Sequence, residues 1–234
     1  MRDTITVNGR EIGPSTDLDV LLRRQLKWGT ALGQLPDEGS KTAIYALFKA
    51  ATDTSIEPRL VEAVTAMLTD PDLEVRTGAV DIVQQFPAMF DPVRLVEILD
   101  AHQAMFQPDA PTNARKPDLA SGLLRAAAAR PTSNRRVIDR LREAAVDRAI
   151  GGWVLAGVTS NDTDWVIEHA PEVVQDDPAR ARIVLSRLTD PALRERLVRG
   201  IPRESPQLRG LMSSAVAEEI KDPAERDRLA KLLN

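Results

Sequence analysis

Very few residues in this chain have the types and spacing that chemistry needs. Its 234 residues include two histidines, His102 and His169, and no cysteine. The missing thiols exclude disulfides, thiolate zinc sites and cysteine nucleophiles. Two histidines far apart in sequence exclude a histidine-rich metal centre. General acid–base work needs a positioned partner beside the proton that moves. Asp100 neighbours His102 but faces elsewhere on a helix. Glu172 lies three residues beyond His169, but Pro171 interrupts the helix between them. The remaining carboxylate clusters, Asn161-Asp162-Thr163-Asp164 and Gln175-Asp176-Asp177, each precede an expected helix, so capping explains them. A calcium loop would add a glycine and a terminal glutamate, and both are absent. No phosphate-cradling glycine loop, nucleophile elbow or His-Glu-x-x-His spacing occurs. For an enzyme, the residues to test are Asp162, Asp164 and His169. The sequence points to no metal and no cofactor.

Arginine is the other chemically distinctive residue, at 25 against 6 lysines. In Asn134–Asp147, Val137, Ile138, Leu141, Ala144 and Ala145 define a buried side. Arg136 and Arg140 then share one flank, and Arg135 and Arg142 the other. Glu143 and Asp147 partly offset the first pair, and Asp139 the second. A second arginine-rich stretch runs through Arg180, Arg182, Arg187, Arg194, Arg196, Arg199 and Arg203. Together these residues offer a basic groove for an acidic protein surface or for phosphate. Net charge is −4 overall, −5 over residues 1–117 and +1 over 118–234. An acidic chain with 3% aromatic residues is a poor match for a nucleic-acid coat.

These residues must be positioned by helices. Only Asp3–Ile12 has a two-residue period, with Ile5, Val7 and Ile12 flanking Asn8-Gly9, the strongest short hairpin signal. Such a hairpin is marginal alone, so it must lean on the helices or add to a partner's sheet. After Pro14 the period becomes about 3.6. Helices are expected to start near Ser15, Ser40 and Glu57, at Asp70-Pro71 and at Asp91-Pro92. Eight more are expected at 118–130, 134–147, 149–159, 162–170, 177–188, 191–201, 205–220 and 223–233. Three prolines make 107–117 a loop between two helical regions, 14–106 and 118–234, read as one continuous domain. A window of about 18 apolar residues, needed for a membrane span, is missing. Nor is there an apolar leader, so a cytoplasmic and, from the arginine and alanine bias, bacterial protein is expected.

Asp-Pro recurs at 70, 91, 177, 190 and 222. Asp caps free N–H groups, and Pro suits the first helical position. The string Leu68-Thr69-Asp70-Pro71-x-Leu73-x-x-Arg76 returns as Leu188-Thr189-Asp190-Pro191-x-Leu193-x-x-Arg196. With Leu60–Val83 reading as helix, Asp-Pro turn and helix, the chain resembles the HEAT repeat family. The resemblance implies an all-α solenoid of stacked helical hairpins. It also implies that Asp70 and Arg76, and Asp190 and Arg196, form polar ladders between repeats. A non-catalytic scaffold or adaptor that binds another protein follows, with Trp28, the Pro108–Pro117 loop and the flank of Arg136 and Arg140 as candidate contacts. The alternative is an immunity or inhibitor protein that binds a toxin. HEAT-like DNA glycosylases have a similar length but use a basic, aromatic-lined face; Trp165 beside Asp162 and Asp164 is the nearest imitation here.

Overall fold

Among the described residues the chain is all-α apart from one two-stranded hairpin. A computed structural model describes residues 3–28, 38–106 and 119–234, with side chains except at 27–28 and 38–43. It divides into two compact units, Met1–Pro111 and Thr112–Asn234.

In the first unit, β1 (Ile5–Val7) pairs antiparallel with β2 (Arg10–Ile12). Asn8 and Gly9 both have positive φ, 51° and 76°, as the type I′ turn demands. The hairpin leans on the helices, with β1 against α2 (Glu38–Ala51). Helix α1 (Leu18–Trp28) packs against α2, α3 (Glu57–Met67) and α4 (Leu73–Gln85). Its buried Leu18 and Leu22 meet a core that includes Phe48, Leu60 and Val80. Arg59 of α3 pins the strand-to-helix link by donating to the carbonyls of Gly13 (3.1 Å) and Thr16 (2.8 Å). A 3₁₀ turn at Pro87–Met89 leads to α5 (Pro92–Ala101) and the four-residue α6 (Gln103–Phe106).

The second unit contains α7 (Leu119–Ala128), α8 (Arg135–Val146), α9 (Gly151–Asn161), α10 (Thr163–Glu168) and α11 (Ala170–Val174). It continues with α12 (Pro178–Arg187), α13 (Pro191–Gly200), α14 (Pro206–Glu219) and α15 (Pro223–Leu233). Packing runs along two rows: α7 on α9, α9 on α12 and α12 on α14, and in parallel α10 on α13 and α13 on α15. Helices α7 to α11 each also pack on the next in sequence, as α14 does on α15, whereas α13 makes little or no contact with α12 or α14.

Capping follows local chemistry. Asp91, Asp177, Asp190 and Asp222 each accept the N–H two residues on, with Pro at the first helical position. Two expectations need correction. Helix α4 does not start at Asp70-Pro71; Asp72 is its cap, accepting the Glu74 N–H at 3.0 Å. The segment 162–170 is two helices, because α10 ends at Glu168 and Pro171 then sits in the first turn of α11.

Candidate functional site

Residues singled out for enzymatic chemistry are linked through arginine pairs and ring stacking. Arg142 on α8 donates from Nε to Asp162 at 2.7 Å, at the junction of α9 and α10. Its guanidinium lies 5.4 Å from the centre of the Trp165 ring, a cation–π distance. Trp165 in turn stacks on His169, with centroids 4.8 Å apart and planes at 21°. His169 Nδ1 is 3.0 Å from the Trp165 carbonyl oxygen. A carbonyl only accepts, so Nδ1 carries the proton and a neutral ring keeps Nε2 as its acceptor. Asp164 pairs with Arg196 of α13 at 2.5 Å, and Glu168 approaches the same guanidinium at 3.8 Å. Hydrogen bonding to Asp162 raises the Arg142 pKa, against desolvation, which lowers it. The cluster fastens α8, α10 and α13 through ion pairs and stacking. Each of the two carboxylates is engaged by an arginine.

The arginine flanks of α8 are arranged around a buried side of Val137, Leu141, Ala144 and Ala145, with Ile138 half-buried. Asn134 caps the helix through the Val137 N–H at 3.3 Å. Arg136 is exposed and Arg140 is half-buried, with Glu143 at 3.5 Å. On the other flank, Arg135 donates to Asp139 at 3.1 Å, and Arg142 lies 3.9 Å from the same carboxylate. Trp28 contributes backbone to α1, but its side chain, like the whole 107–117 loop, lies outside the described residues.

In the second arginine-rich stretch, five of the seven arginines have internal partners. Arg180 is only 3% exposed. Its guanidinium donates to the carbonyls of Ala145 (2.9 Å), Val173 (3.0 Å) and Asp147 (2.5 Å), closing the ends of α8 and α11. Burial pushes its pKa down; Asp177, 3.8 Å away, works in the opposite direction. Arg182 pairs with Glu218 at 2.9 Å, Arg194 with Glu225 at 3.1 Å and Arg199 with Glu195 at 2.6 Å.

The expected ladder residues meet differently from the family pattern. The Asp70 carboxylate is buried, pairs with Arg23 of α1 and accepts the Asp72 N–H at 2.8 Å. Arg76 reaches Asp70 through its main-chain carbonyl, at 2.6 Å. Asp190 and Arg196 do not meet: Asp190 caps the Ala192 N–H at 2.8 Å, and Arg196 pairs with Asp164. The structural equivalent of Arg76 is Arg194. Each stands four residues after its helix cap, Asp72 or Asp190, and each donates to the carbonyl two residues before that cap. For Arg194 that carbonyl is Leu188, at 2.5 Å from Nε. The matching strings are thus two residues out of structural register.

Three features were not legible in the sequence: the buried Arg180, the 38% exposure of Trp153 at the start of α9, and the positive φ of Gln175, 51°. Gln175 donates from Nε2 to the Val146 carbonyl at 2.6 Å, so its unusual backbone lets it close the end of α8. Among the described residues no group of three or more His, Asp or Glu side chains is placed to hold a metal ion. No described helix is long and apolar enough to cross a membrane. No family model, curated protein or solved structure matches the chain.

Proposed function

We propose that this chain is a protein-binding scaffold or adaptor built on HEAT-like stacked helical hairpins, working in a bacterial cytoplasm without catalysis. The supporting observation is the two-row packing of the second unit, where α7, α9, α12 and α14 form one row and α10, α13 and α15 another. Helix pairs that bury one face against the next pair make a rigid frame and keep outer faces for recognition. The Arg136–Arg140 flank of α8 is the contact surface of this reading, and an acidic protein surface is its complement. Arginine suits that task because its planar, charged fork meets carboxylates in two-pronged fashion.

The test compares the tagged full chain with an Arg136→Ala, Arg140→Ala double variant. Both are used to capture a partner from native-host extract, and the partner is then purified and titrated back. The scaffold reading expects a stoichiometric complex and about tenfold weaker binding by the variant, more so at low salt, with thermal stability unchanged. Equal binding by the variant would remove this flank. A complex that never forms, together with substrate turnover sensitive to Asp162 or Asp164, would remove the scaffold reading.

A further inference from the structure

The hairpin breaks its own alternation at one position. Cross-strand pairs Ile5–Ile12 and Val7–Arg10 share a single face, since paired residues and residues two apart point the same way. Ile5 and Ile12 on that face are buried against the helices, while Thr6 and Glu11 take the opposite face. Arg10 therefore occupies a slot where the pattern calls for an apolar side chain. Among the described residues its guanidinium has no hydrogen bond or ion pair.

Beside it opens a cavity of about 200 Å³, between the hairpin, α1 and α2. Val7, Ile12, Leu21, Leu22, Ile44 and Leu47 supply its aliphatic wall. Asn8, Arg10 and Gln25 supply its polar atoms, and Asn8 and Arg10 are exposed, so the polar groups sit at the mouth. Water gains little from such walls. An apolar cavity of about 150 Å³ already takes a six-carbon ring, so this one has room for roughly eight carbons. Among the described residues lining it, the one charge at its mouth is positive, and a guanidinium fits a carboxylate with two parallel hydrogen bonds.

From this geometry we propose that the cavity binds a medium-chain aliphatic carboxylate, its tail among the leucines and isoleucines and its head on Arg10. This site is separate from the α8 flank, and its failure would leave the scaffold reading standing.

The experiment titrates the full, methyl-labelled chain with octanoate, below its micelle concentration, and follows the isoleucine and leucine methyls by NMR. Saturable shifts are expected at Ile12, Leu22, Ile44 and Leu47, and acetate should give none. The wild type should bind octanoate at least about tenfold more tightly than its uncharged methyl ester, and Arg10→Leu and Arg10→Gln should erase that preference. Absence of saturable shifts at these methyls would overturn the proposal. So would equal binding of acid and ester by the wild type, a result that needs no variant to fold, or an unchanged preference in the folded variants.

Discussion

Arg180 and Arg194 show how differently two arginines in one stretch are used. Arg180 serves three helix-end carbonyls from a buried position, and Gly151 exists to let it in. A Cβ at Gly151 would lie 2.5 Å from both the Ala145 oxygen and an Arg180 Nη atom. Arg194 is 18% exposed and faces Glu225, which is 8% exposed. Removing Arg194 strands a buried carboxylate and frees the Leu188 carbonyl. Arg194→Ala should therefore cost about 3 kcal/mol in urea unfolding. Arg196→Ala should stay within about 1 kcal/mol, because Arg196 is 47% exposed and Asp164 is 74% exposed. The reverse order would restore the register that the sequence strings imply. Asp-Pro chemistry was readable, but the capture of Asp70 by Arg23, 47 residues earlier, is long-range information that no local string carries. The raised pKa of Arg142 stabilises the fold at every pH below the ordinary arginine range. That contribution is lost only as strong alkali removes the proton, so the pair with Asp162 adds no arginine-linked pH slope near neutrality.

At the level of elements, periodicity and caps located most helices to within a few residues. The Asp-Pro starts at 91, 177, 190 and 222 held because capping is local. Short pieces were missed, namely α6, α11 and the 3₁₀ turn, because three to five residues carry too little of a 3.6-residue period to register. Contacts between helices were not readable at all, and α9 shows why. It contains three glycines, at 151, 152 and 157, that look equivalent in sequence. A Cβ at Gly157 would lie 2.5 Å from the Ala128 carbonyl oxygen, whereas Gly152 faces open space. The same Ala128 oxygen accepts from Asn161 Nδ2 at 2.6 Å, so the end of α7 is held directly on α9. Gly157→Ala should thus cost about 1–3 kcal/mol by forcing α7 off α9. Gly152→Ala should be neutral or gain up to about 1 kcal/mol from better helix propensity. Thermal unfolding of the two variants side by side checks this, and equal effects would refute the close approach of α7 and α9.

For the whole molecule, composition legibly set the class: an acidic, cysteine-free, helix-patterned chain with a mild excess of base in its second half. The structure adds the division at Pro111, within the proline-rich stretch, and the two-row packing of residues after it. It also shows that Arg180, Arg182, Arg194, Arg196 and Arg199 of the second unit are engaged by internal partners, and that Arg140 on the α8 flank is paired with Glu143. Recognition by the Arg136–Arg140 flank is the function proposed for this chain. Its most direct measurement is hydrogen–deuterium exchange of the full chain, with and without its captured and purified partner. New protection is expected to centre on residues 134–147 and to be absent in the Arg136→Ala, Arg140→Ala variant. Protection confined to other helices, or the same protection in the variant, would contradict it.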